Sequence, residues 1–256
     1  MSTTPATPAG TAGYAMALGD DALVLAQRMA EWVGSAPQIE EDVALANIGL
    51  DLLGQARALL GYAGQVEGCG RDEDDLAYLR EERRFRNLQI VELPNGDFAA
   101  SIARLLLFAT YQHRLYSALS AGTDPTLSAV AAKAVKEVDY HADHARSWTL
   151  RLGDGTAESH RRMQAGLAAM WPFVAEMFTP VPEFAGLVQA GVAVDVAGLR
   201  PGWDAEIRAV LAEATLEVPE PTWTARGGRA GLHTEHLGPL LAQLQHLHRT
   251  HPGAAW

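Results

Sequence analysis

Apolar positions along this chain recur at helical spacing, and no stretch sustains the two-residue alternation of a strand. With 45 Ala and 32 Leu against 5 Ile, the apolar residues are mostly strong helix formers, which supports the same reading. Breakers cut the pattern into long segments. A first helix is predicted over residues 14–33, closed by Gly34 and Pro37. A second covers 40–66, with Glu40, Glu41 and Asp42 at the positive end of its dipole and Gly68 at its stop. Residues 72–85 form a charged connection with room for one short helix. Pro94-Asn95-Gly96 reads as a turn and Asp97 as an N-cap. A third helix follows over 98–120. Asp124-Pro125 opens a fourth, running to residue 152, with Pro125 in the first position. Further helices are expected over 157–178, 201–217 and 233–249, with irregular chain at 179–201 and a Pro/Gly/Arg loop at 219–231. Four long helices joined by breaker-rich loops are the pattern of an all-α, antiparallel four-helix bundle, here with additional C-terminal helices. A single domain is expected over 14–256, preceded by a flexible leader over 1–13.

Composition narrows the function classes. Hydrophobic residues make up 48% and charged ones 20%, enough for a packed core rather than disorder. A net charge of −11 argues against nucleic acid, whose phosphates would repel the chain. The leader lacks the basic start and apolar run of a signal peptide, and unbroken apolar stretches such as 105–109 are too short to span a bilayer. Cys69 is the sole cysteine, so neither an internal disulfide nor a thiolate metal site is available, and a reducing cytoplasm is the expected compartment. Of the 20 basic residues 18 are arginine, since only Lys133 and Lys136 are lysines, so where the arginines cluster matters.

The second predicted helix places apolar groups nearly all round, through Val43, Leu45, Ile48, Leu50, Leu52 and Leu53, and most of it should be buried. Asn47, Asp51 and Gln55 form one polar stripe, which is either a hydrogen-bonded network or part of a metal site. A carboxylate-bridged di-iron site in a bundle needs an acid from each of two helices and Glu-x-x-His from each of the other two. Here Asp51 is followed at i+3 by Gly54, where a histidine is required. On the fourth helix His141 is preceded at i−3 by Val138, and Glu137 by contrast lies at i−4. The third helix holds no Asp or Glu from Phe98 to Thr123. The pattern is that of a di-iron bundle whose metal site has been dismantled, with no catalytic or metal-ligating residue in this chain. His233, Glu235 and His236 could contribute to a zinc site, but the full ligand set is missing, and a capping or interface role is favoured. Nucleotide-binding glycine motifs and a nucleophile elbow are absent.

Residues 18–25 (LGDDALVL), 44–57 (ALANIGLDLLGQAR), 93–96 (LPNG) and 231–239 (GLHTEHLGP) resemble the C-subunit family of the bacterial phenylacetyl-CoA ring epoxidases, over about residues 13–256. The resemblance implies a ferritin-like, non-catalytic subunit. It would pair with a di-iron catalytic A subunit, and a small B subunit and a reductase carrying flavin and an iron–sulfur cluster would complete the complex. The implied reaction is O₂- and NADPH-dependent epoxidation of the ring of phenylacetyl-CoA, a step in phenylacetate breakdown. A free-standing ferritin-like metalloenzyme with an atypical metal site is the alternative, and a helical adaptor without a link to aromatic catabolism is a third.

If the substrate is a coenzyme A thioester, residues 80–87 (REERRFRN) become a candidate anion site, with four arginines in eight residues of an acidic protein. Arginine presents paired donors to phosphate oxygens. Arg84 and Arg86 are expected to hold phosphates, Phe85 to stack on adenine and Asn87 to bond its edge. The irregular stretch 182–187, with Phe184, Ala185, Gly186 and Leu187, is the candidate apolar wall. The competing reading is a solvated face on which Glu81 and Glu82 pair with neighbouring arginines.

Overall fold

The computed structural model describes residues 7–254. Eleven α-helices and four short 3-10 turns cover these residues, and no strand occurs among them. In chain order the helices are α1 (Pro8–Ala30), α2 (Ile39–Glu67), α3 (Glu73–Tyr78), α4 (Gln89–Glu92), α5 (Phe98–Leu119), α6 (Pro125–Gly153), α7 (Ala157–Met170), α8 (Val174–Met177), α9 (Ala185–Gln189), α10 (Val196–Glu213) and α11 (Leu237–Thr250). The fold is all-α, built on long paired helices of the ferritin-like kind.

These elements gather into two compact units. One comprises the described residues up to Pro94, Glu183–Ala190 and those from Gly227 onward; the other comprises Asn95–Pro182 and Gly191–Arg226. The first is organised on the α1/α2 hairpin. Gly19 lets the two helices approach, because a Cβ there would stand 2.9 Å from Leu60. The second is organised on the α5/α6 hairpin, with α7 and α10 packed on α5. Its α5 is almost wholly apolar and buried, and Trp203 of α10 fills its side, donating its Nε1–H to the Leu107 carbonyl at 3.0 Å.

Several boundaries differ from the sequence expectation, each for a local reason. The first helix begins at Pro8 rather than residue 14, because Thr7 caps it through the Gly10 N–H and Pro8 takes the first turn. Half of the expected leader is therefore helix, while its residues 1–6 lie outside the described ones. The fifth predicted helix stops at Met170, since Pro172 cannot donate to the ladder, and a 3-10 turn over Trp171–Phe173 follows. The sixth starts earlier, at Val196, because Asp195 caps it through the Ala197 N–H, and Pro201 is accommodated inside. The last helix begins only at Leu237.

The expectation that α2 is mostly buried is corrected. Leu45, Ile48 and Leu52 are fully buried, but Ile39, Val43 and Leu50 are 80%, 55% and 65% exposed. Hydrophobicity nearly all round supplied more apolar surface than one neighbouring helix covers. By length and composition α2 would suffice to cross a membrane, and half of its most apolar stretch is buried. On the polar stripe Asn47 is exposed, Asp51 half-buried and Gln55 buried.

Candidate functional site

Two adjacent aspartates in the apolar middle of α1 organise the first unit. Asp20 and Asp21 are buried. A buried carboxylate must be paired and hydrogen-bonded, and here the partners come from distant segments. Arg80 makes a two-pronged ion pair with Asp20, and the Arg86 backbone N–H donates to the same carboxylate at 2.8 Å. Asp21 accepts the Leu88 N–H at 2.7 Å and pairs with Arg229 at 2.6 Å. Arg229 also donates to the carbonyls of Ala17 and Arg86 at 2.7 and 2.8 Å, and Arg86 returns a bond to the Arg229 carbonyl at 2.8 Å. The arginine-rich segment is thus strapped both to α1 and to the glycine loop before α11. Burial pushes the Asp21 carboxyl up to about 6, against the downward pull of Arg229.

A second buried acid fixes the same loop. Glu92, fully buried, receives the Asn87 side-chain N–H at 2.8 Å, the Thr234 backbone N–H, and Nδ1 of His233 at 2.8 Å. Nε2 of His233 faces the Phe85 carbonyl at 3.0 Å. Both ring nitrogens therefore face oxygen atoms, an arrangement that favours the doubly protonated ring. Burial pulls the His233 pKa down, but the bonds to Glu92 and Phe85 outweigh it and leave it raised. Since both nitrogens are engaged, His233 has none to offer a metal ion. Gly231 allows the loop to sit down at φ +75°, where a Cβ would strike the Arg83 carbonyl. Among the described residues no group of three or more His, Cys, Asp or Glu is placed to hold a metal.

Above the Asp20/Asp21 network lies a cavity of about 730 Å³. Its basic wall is Arg71, Arg80, Arg84, Arg86 and Arg229. Ala9, Gly10, Gly13 and Met16 of α1 form another side, and Glu183 and Phe184 a third. Glu67 pairs with Arg71 at 2.6 Å, which holds its carboxyl below the usual range. Phe184 stands edge-on to Tyr14 at 5.3 Å, and Leu187 packs near Gly10.

The structure thus brings Arg84, Arg86 and Phe184 to one cavity. Phe85 and Asn87 are placed elsewhere. Phe85 is fully buried, with the Arg80 guanidinium 4.3 Å from its ring centre, and Asn87 is buried and bonded to Glu92 and the Leu88 carbonyl. Ala185 is exposed, Gly186 half-buried and Leu187 buried, and none of the three lines the cavity. Sequence reasoning missed Arg71 and Arg229 as wall residues, Asp20 and Asp21 as the buried acids that hold Arg80 and Arg229, and Glu92 as the acid that fixes the loop at His233. The available signal was two acids in the middle of an apolar helix, which demand basic partners.

A separate apolar groove of about 400 Å³ runs along the α1/α2 hairpin, lined by Leu23, Ala26, Leu50, Leu53, Tyr78 and Leu244 among others. Together with exposed Val43 and Ile39 it gives the first unit one wide apolar face.

Residues 2–256 match the family described as phenylacetic acid catabolic protein. The chain is also similar to the C subunit of 1,2-phenylacetyl-CoA epoxidase from Escherichia coli (strain K12), being 49% identical over 243 residues that cover 95% of this chain and 98% of that protein. The chain belongs to the phenylacetic acid catabolic protein family.

Proposed function

We propose that this chain is the C subunit of a phenylacetyl-CoA epoxidase, a cytoplasmic oxygenase complex in which it organises partner and substrate without carrying out the oxidation. The observation that carries the reading is the 49% identity, nearly end to end, to a protein of that name. In this reading a di-iron A subunit performs the chemistry, a small B subunit and a flavin and iron–sulfur reductase complete the complex, and NADPH supplies the electrons. The residues of this chain support a non-catalytic role. The α5 helix offers no carboxylate, and it carries a fully buried Arg104 bonded to Asn95. Gly54 occupies the station where a nitrogen ligand is needed, and Val138 the acidic position before His141. A free-standing metalloenzyme would need those stations filled.

Pairing is supported by the apolar face of α2. A stable obligate interface buries more than about 2,000 Å² in total and is rich in apolar groups. Arg84 and Arg86 at the basic cavity would serve the coenzyme A part of the substrate. Mixing the purified chain with the di-iron subunit tests the assignment. A stable complex with all its tightly bound iron in the partner supports it. About two tightly bound irons in this chain, or no association, contradicts it.

A further inference from the structure

The five arginines of the cavity wall face only two glutamates, Glu67 and Glu183, in a chain whose net charge is −11. They differ in how far they are already engaged. Arg80 and Arg229 are committed to Asp20 and Asp21 behind the wall, and Arg71 to Glu67 beside it. Arg84 is exposed, and its side chain makes no hydrogen bond or ion pair with any described residue. Arg86 spends one nitrogen on the Arg229 carbonyl. Its backbone is pinned by Asp20, so its position is set before any ligand arrives. With the other three arginines neutralised by Asp20, Asp21 and Glu67, Arg84 and Arg86 supply the wall's remaining positive charge, against Glu183 alone, and a polyanion would be drawn to it.

We infer that this cavity seats the phosphorylated adenosine end of a coenzyme A thioester, leaving the acyl end outside. The inference rests on the reading of the chain as an epoxidase subunit for its ligand class. Coenzyme A divides into two chemically distinct ends. The pantetheine arm is uncharged and has no use for arginines. The nucleotide end carries a diphosphate and a 3′-phosphate, and suits a wall of paired N–H donors. The half-buried Phe184 ring lines the same space and is held edge-on by Tyr14, so it offers the adenine an aromatic surface. Gly10 and Gly13 keep the opposite side low enough for close approach. A volume of about 730 Å³ lies within the span of small-molecule sites, roughly 300–1,000 Å³. Phe184 thus takes the stacking role that the sequence pattern assigns to Phe85.

Calorimetric titration of the full chain with coenzyme A, dephospho-coenzyme A, pantetheine and inorganic pyrophosphate tests the site. Coenzyme A should bind about tenfold or more tightly than dephospho-coenzyme A, and pantetheine should give no heat. Arg84→Ala with Arg86→Ala should weaken coenzyme A by at least about tenfold, with a larger loss at low salt. Because Arg86 also holds a loop carbonyl, Arg84→Glu alone provides a variant at an exposed position, and it should weaken binding in the same direction. Phe184→Ala should weaken coenzyme A while leaving pyrophosphate unchanged. Three results overturn the inference: no binding of coenzyme A, equal affinity in wild type and Arg84→Glu, or equal affinity for coenzyme A and pyrophosphate, which marks an unspecific anion seat. Association with the di-iron subunit is read separately, so the cavity can fail while membership of the complex stands. Loss of that association with coenzyme A binding intact would remove that membership instead.

Discussion

Asp20 lies in the middle of an apolar helix, yet three N–H donors reach its carboxylate: two from the Arg80 guanidinium and one from the Arg86 backbone. Removing one partner of such a buried pair leaves the other uncompensated, at a cost of about 3–5 kcal/mol. Asp20→Ala should therefore lower stability by about that amount and release the arginine segment, and urea or guanidinium unfolding measures it. His233 gives a second residue-level expectation, with a definite sign. Its folded pKa lies above 6.5, so the stabilisation from its pairing with Glu92 is complete below that value. It is lost as pH climbs through the raised value. Asp21, pushed up to about 6, adds a loss of the same sign at lower pH, between about 4 and 6. Thermal midpoints of the wild type should fall from pH 6.5 toward pH 9, and His233→Gln should flatten that fall; an unchanged slope in the variant would detach His233 from it. At this scale the sequence was only partly legible. Arg84 and Arg86 stood out because arginines concentrate there. The burial of Phe85 and Asn87 was hidden, because the orientation of so short a connection is decided by Asp20, Asp21 and Glu92, far away in sequence or bonded through the loop at His233.

Elements were more legible than side chains. Strong periodicity and capping residues located all four long helices, and Asp97 and Asp124 act as the N-caps expected of them. What the pattern could not supply was the neighbour. The α2 helix is apolar on most sides, and the chain alone covers only one of them, leaving Ile39, Val43 and Leu50 outward. The segment before α11 failed for the opposite reason: residues 233–236 suit a helix, but the bonds of His233 and Thr234 to Glu92 hold them out of one. The α2 face carries its own prediction. Val43→Asp with Leu50→Asp should leave the helical circular dichroism and thermal midpoint nearly unchanged, because both positions are exposed. It should strongly weaken co-elution with the proposed di-iron partner, and co-elution equal to wild type would rule this face out as the contact.

For the whole molecule, the family match ties the chain to phenylacetic acid catabolism, and the account proposed above makes it a subunit that contributes surface and charge to an oxygenase whose iron lies in another chain. The account separates requirement from chemistry. Turnover of phenylacetyl-CoA with NADPH and O₂, measured by product formation in a complex reconstituted with and without this chain, tests that claim most directly. The account predicts that omitting the chain abolishes or strongly reduces ring epoxidation, and that adding it back restores the rate without bringing iron of its own. Full activity of the remaining subunits in its absence would contradict it.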